Sequence, residues 1–125
     1  MKILIVEDDI VSRKKMKLIV TSLGFTPIIA DNGKRGFEIW KNERPRIVIT
    51  DWIMPEMDGP ELCKLVRKSE GSQHTYILIV SSKNEKRDII KGIEAGANDF
   101  ISKPYIKEEL RVRINTALRM LDFRS

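Results

Sequence analysis

Glu7, Asp8, Asp51, Ser81, Ser82 and Lys103 share a setting in this sequence: each lies one or two residues after a short apolar run. Ile3 to Val6 runs into Glu7-Asp8-Asp9, and Ile47 to Thr50 into Asp51. Tyr76 to Val80 runs into Ser81-Ser82-Lys83, and Phe100-Ile101 into Ser102-Lys103-Pro104. If the runs are parallel strands, their C-terminal loops share one sheet edge, where open α/β folds bind ligands. Carboxylates crowded at such an edge must bind protons or be neutralised by a cation. A hard divalent ion with oxygen ligands suits them, and Mg²⁺ suits a site with few carboxylates, several waters and a phosphate group. Phosphoryl transfer needs positioning and charge neutralisation more than covalent help. A carboxylate can itself be the nucleophile and form an aspartyl phosphate. Asp51, at the end of a central run, is the expected nucleophile. Lys103 would hold a phosphoryl oxygen and the Ser81 hydroxyl would donate to another. An Asp that ends a strand is ordinary by itself, so the assignment rests on its company.

The elements that must deliver these side chains alternate. After the first strand, Met16, Ile19, Val20 and Leu23 mark one face of a helix from about Ile10 to Leu23, stopped by Gly24. Thr26 to Ala30 reads as a strand, and Pro27 places it at a sheet edge. Asp31-Asn32-Gly33 is a turn. Gly36, Phe37 and Trp40 line a short helix that Pro45 has ended. After the Asp51 loop, a helix from about Pro60 to Ser69 should bury Leu62, Leu65 and Val66, with Pro60 in its first turn. His74, the only histidine, sits in a polar loop and reads as bland. Ile89, Ile90, Ile93 and Ala97 trace a fourth helical stripe, with Gly96 near its end. A last helix, from about Ile106 to Leu121, should bury Leu110, Ile114, Ala117, Leu118 and Leu121.

Strands alternating with helices imply a parallel sheet covered on both faces, joined by right-handed crossovers. The first, third and fourth strands are the most apolar and should be central. The expected fold is a three-layer, doubly wound (βα)5 sandwich. Its five-stranded parallel sheet has the order 2-1-3-4-5 and is flavodoxin-like.

Several motifs then fall into register: Ile5-Val6-Glu7-Asp8-Asp9, Asp51-Trp52-Ile53-Met54-Pro55-Glu56-Met57-Asp58-Gly59, Val80-Ser81-Ser82, Gly96-Ala97-Asn98-Asp99-Phe100 and Lys103-Pro104. With these the chain resembles the receiver domains of bacterial two-component response regulators, the chemotaxis receivers among them. The resemblance covers essentially the whole chain. It implies that Asp51 is the phosphoacceptor, loaded from a histidine of a sensor kinase or a histidine phosphotransfer protein. Glu7 and Asp8 would position Mg²⁺ with Asp51 and the backbone carbonyl of Ile53, while Asp9 matches a variable position. Ser81 would be the switch hydroxyl, Lys103 the phosphoryl-pairing lysine, and the Ser82 amide a further donor. Phe100 would be the aromatic switch whose ring turns inward. The Lys103-Pro104 peptide would be cis. The output would pass through the face of the fourth helix, fifth strand and fifth helix, to an effector domain, a partner protein or a phosphorylation-linked homodimer.

Ile53, two residues after the phosphoacceptor, and Lys83, two after the switch serine, are departures that bear on rate: in the family these positions flank the attacking water's path and are polar in fast-hydrolysing members. Bulky Ile53 is expected to prolong the phosphorylated state. An Mg²⁺-dependent phosphatase of the haloacid dehalogenase type would also use an aspartyl phosphate, but it wants a second Asp where Ile53 stands. A flavodoxin-like FMN module needs a hydroxyl- and glycine-rich loop after its first strand, and Glu7-Asp8-Asp9 would repel the phosphate. A degenerate receiver that signals without phosphate would not need the complete acidic set. The reading is therefore a signalling domain and not a turnover enzyme.

With 125 residues, 42% of them hydrophobic and 33% charged, the chain fits one folded domain spanning 1–125. The surplus of 23 Lys and Arg over 18 Asp and Glu, a formal +5, forms no dense basic run with interleaved aromatics, so direct nucleic-acid binding is not expected. Arg13, Lys14, Lys15 and Lys17 read as a solvated helix face. Cys63, the single cysteine, excludes an intrachain disulfide and reads as an inert, half-buried thiol. No run is long and apolar enough to span a bilayer, and a cytoplasmic location is expected. Only Asp122-Phe123-Arg124-Ser125 follow the last helix. No effector domain is expected in this chain, and the helix bearing Arg111, Arg113 and Arg119 is expected to continue as a connector.

Overall fold

A computed structural model of the chain describes residues 1–122. Of the tail expected after the last helix, Asp122 belongs to that helix and residues 123–125 lie outside the described residues. Strands and helices alternate in the order β1 (Lys2–Val6), α1 (Ile10–Ser22), β2 (Thr26–Ala30), α2 (Gly33–Glu43), β3 (Ile47–Thr50), α3 (Gly59–Ser69), β4 (Tyr76–Ser81), α4 (Lys86–Ala95), β5 (Asp99–Ser102) and α5 (Lys107–Asp122). The strands form one parallel sheet of order β2-β1-β3-β4-β5. Pro27 lies on the edge strand, as its missing N–H requires.

Successive strand residues point to opposite faces, and both faces are covered, which is why the central strands are apolar throughout. Ile3, Ile5, Ile47, Ile49, Leu78, Val80 and Ile101 pack beneath α1 and α5 with Met16, Val20, Leu110, Ile114 and Leu121. Leu4, Val6, Val48, Ile77 and Ile79 pack on the other side beneath α2, α3 and α4 with Trp40, Leu62, Cys63 and Val66. Leu65 and Leu118 are only half-buried. Cys63, expected to be half-buried, is fully enclosed, and burial pushes its thiol up to about 12.

Two helices depart from the sequence reading. The turn expected at Asp31-Asn32-Gly33 is the start of α2: Asn32 caps it, accepting from the Arg35 N–H at 2.7 Å, and Gly33 is its first residue. A side chain at Gly33 would strike the Met57 carbonyl, so glycine lets α2 abut the loop after β3. In α4 the buried residues are Asp88, Gly92 and Ala95, while Ile90 and Ile93 are 57% and 44% exposed. The stripe of Ile89, Ile90, Ile93 and Ala97 is therefore divided: Ile90 and Ile93 face outward, Ile89 is half-buried and Ala97 is buried. Trp52 and Phe100 fill the space beneath α4 from neighbouring loops and strands, and Gly92 packs closely over them and Ile79. A Cβ on Gly92 would lie 3.1 Å from Ile79, 3.4 Å from Trp52 and 3.6 Å from Phe100. Ala97 lies beyond the helix, after the Gly96 cap.

Candidate functional site

The parallel register brings the distant loops together. Val6 pairs with Thr50, Thr50 with Ile79, and Ser81 with Ser102. The ladder then continues one residue past the strand ends: Glu7 N–H donates to the Ala30 carbonyl (3.0 Å), Asp51 N–H to Val6 (3.0 Å) and Lys103 N–H to Ser81 (2.9 Å). Glu7, Asp51 and Lys103 are thus held by sheet geometry, not by loop conformation. The Lys103–Pro104 peptide is cis, as expected.

Lys103 Nζ lies 2.8 Å from Glu7 Oε1 and 2.9 Å from Asp51 Oδ2. The other Asp51 oxygen accepts the Trp52 N–H at 2.6 Å. Glu7, Asp8 and Asp51 each offer a carboxylate oxygen within 4.8 Å of the others. Glu7 is 1% exposed, Asp51 is half-buried and Asp8 is exposed. One ammonium shared between two carboxylates leaves negative charge unbalanced. Burial pushes Glu7 up to about 7; its hydrogen bond with Lys103 pulls the other way, and the Asp51 charge adds to the rise. Burial alone would lower Lys103, but the hydrogen bonds and charges of Glu7 and Asp51 outweigh it and hold the ammonium above its ordinary value. A cluster of hard oxygen donors with surplus negative charge fits a divalent cation such as Mg²⁺.

The loop after β3 wraps the site. Gly59 N–H donates to the Trp52 carbonyl (2.7 Å), and a side chain at Gly59 would strike the Asp51 carbonyl. Asp58 caps α3, accepting from the Glu61 N–H at 2.9 Å, and Glu61 accepts from the Asp58 N–H in return. The Ile53 side chain is 68% exposed and supplies no acid near Asp51.

Ser81 is buried at the same edge, and its hydroxyl accepts the Lys83 N–H at 3.1 Å. It does not cap α4, whose N-cap is Glu85. Ser82 is exposed and, with Ser12, Lys15, Lys103, Pro104 and Tyr105, lines a cavity of about 290 Å³ beside the acidic cluster. Phe100 is half-buried against Trp52, with ring centroids 6.3 Å apart.

Sequence reasoning passed over some of the residues that build this site. Trp52 both holds Asp51 and meets Phe100, and no spacing rule points to it. Arg13 and Lys15, read as solvated, have partners: Arg13 donates to the Glu7 carbonyl (3.2 Å), and Lys15 to the Tyr105 carbonyl (3.0 Å) while lying over the Tyr105 ring. Asp9 caps α1, accepting from the Ser12 N–H at 2.8 Å. An Asp before a helical stripe is a signal that could have shown this.

Known proteins resemble the chain over nearly its whole length. It is 34% identical over 122 residues to a chemotaxis protein CheY homolog of Campylobacter jejuni, covering 94% of this chain and 92% of that protein. It is 35% identical over 121 residues to the probable transcriptional regulator ycf27 of Porphyra purpurea. This covers 97% of the chain but 49% of the relative, so the chain spans about half the length of such regulators. A receiver domain of a Syntrophus aciditrophicus signal transduction histidine kinase superposes with a TM-score of 0.87 at 29% identity, over 96% of this chain and 91% of that one. Chemotaxis protein CheY4 of Vibrio cholerae does so with 0.86 at 26% identity, over 93% and 97%. The family model for the response regulator receiver domain matches residues 3–115, and the chain belongs to that family.

Proposed function

We propose that Asp51 is the residue phosphorylated in this receiver domain, with a histidine of a sensor kinase or phosphotransfer protein as donor. One observation carries the reading: a single ammonium, Lys103, lies within 3 Å of both Glu7 and Asp51 inside a cluster of carboxylates that would otherwise repel. Glu7, Asp8 and Asp51, with the Ile53 carbonyl, would hold Mg²⁺, which when bound offsets charge on the transferring phosphoryl group. As the Asp51 oxygen forms its bond to phosphorus, the phosphorus–nitrogen bond of the donor histidine breaks and its electron pair stays on the imidazole. Lys103, already 2.9 Å from Asp51, remains paired with a phosphoryl oxygen. The Trp52 N–H keeps the carboxylate oriented. The Ser81 hydroxyl and Ser82 N–H serve the remaining oxygens.

Rotation of Ser81 toward the phosphoryl group would give up its bond to Lys83 and loosen the start of α4. Phe100, beneath Gly92 of α4, then follows as the aromatic switch. The output face is α4–β5–α5, where Ile90, Ile93, Val112 and Met120 are exposed. An effector domain, a partner protein or a second copy would read it. The domain works in the cytoplasm, and no helix among the described residues is long and apolar enough to cross a membrane. Incubation with a phosphorylated histidine kinase and Mg²⁺ should add one phosphoryl group to the wild type and none to Asp51→Asn, read by intact mass. Equal labelling of both would refute the assignment.

A further inference from the structure

Lys83 is tied to both neighbours of the phosphorylation site. Its backbone N–H donates to Ser81 Oγ at 3.1 Å. Its ammonium lies 5.7 Å above the ring of Trp52, whose own N–H holds Asp51. Yet that ammonium is paired elsewhere, 3.3 Å from Asp88 Oδ1. Asp88 sits in the first turn of α4 with its side chain 8% exposed, and its other oxygen accepts the Glu85 N–H at 3.2 Å. A buried carboxylate that loses its cation is costly, so Asp88 holds its partner firmly. The Lys83 side chain remains 43% exposed, so it is clipped at its tip and not enclosed.

We propose that Asp88 is a positioning residue that withholds the Lys83 ammonium from the phosphoryl group on Asp51. The proposal rests on the phosphoacceptor reading. Lys103 is already divided between Glu7 and Asp51. A second ammonium at the site would add attraction for a tetrahedral anion there. Diverting Lys83 to α4 lowers that attraction and fastens the loop between β4 and α4 to the helix that must move.

Asp88→Asn keeps an oxygen for Glu85 N–H but removes the charge that holds Lys83. With Mg²⁺ present, its affinity for beryllofluoride should be tighter than wild type by about threefold to tenfold, the range of a partly solvated ion pair. Lys83→Met alone should stay within about twofold of wild type, and the double variant should return to the wild-type affinity. Tightening that persists in the double variant would mean a general loss of negative charge and would overturn the proposal. No tightening in Asp88→Asn, or weakening in Lys83→Met, would overturn it too. Without the mimic, Lys83 should react faster with an amine reagent in Asp88→Asn, and an unchanged rate again refutes the clip. A wild type that binds no beryllofluoride refutes the phosphoacceptor reading itself. Binding without the expected pattern refutes only the role of Asp88.

Discussion

Lys103 carries one positive charge between two carboxylates, and the buried one bears the cost. Glu7 is raised from 4.5 to about 7, chiefly by burial. The folded chain therefore binds a proton that the unfolded chain releases between those values. The sign follows: stability of the metal-free chain falls as pH rises from about 4.5 to about 7. Glu7→Gln has no charge to desolvate, so this decline should be missing from its thermal unfolding curves. Mg²⁺ binding should strengthen over the same window as Glu7 ionises. Parallel pH profiles for wild type and variant would contradict the assignment of the raised group to Glu7.

The loop between β3 and α3 converts a strand end into a site. Gly59 lets the first turn of α3 sit against the Asp51 carbonyl, and its N–H fastens the Trp52 carbonyl. Gly59→Ala should cost about 1–3 kcal/mol, as overpacking of a tight contact does. Denaturant unfolding would measure that cost. The variant should also load phosphate more slowly, because Asp51 must move to make room. Normal stability and normal loading would show that the contact is not needed. The Asp-Gly pair was legible in the sequence as part of the motif. Its reason, a backbone approach too close for a side chain, was not. The inward face of α4 was likewise illegible: alternation of Ile and polar residues suggests a stripe, but Trp52 and Phe100 arrive from remote positions and the face that packs over them carries Gly92.

At the scale of the whole domain, the lifetime of the phosphorylated state would set how long its partners see a signal. Ile53 is 68% exposed in the loop after Asp51, so replacing it alters the mouth of the site without opening the core. Ile53→Asn should fold normally and lose phosphate faster than wild type, in a time course of phosphate release. An unchanged or slower rate would remove Ile53 as the cause of a long lifetime.

Sheet order, the parallel sense and the edge where Glu7, Asp51 and Lys103 gather were all legible in the sequence. Apolar runs separated by helical stripes have few ways to bury both faces, and every run ended in a polar side chain that had to emerge at the same edge. Tertiary structure decided which partners those side chains take. Lys103 binds Glu7 and Asp51 together, Ser81 faces the Lys83 N–H, and Lys83 turns to Asp88. Arg13 and Lys15 reach backbone carbonyls of remote segments. Hydrogen bonds and ion pairs act over about 3 Å, a distance fixed by packing between segments remote in sequence. Residue type and spacing could nominate Asp51, but only the folded sheet placed the Lys103 ammonium against it.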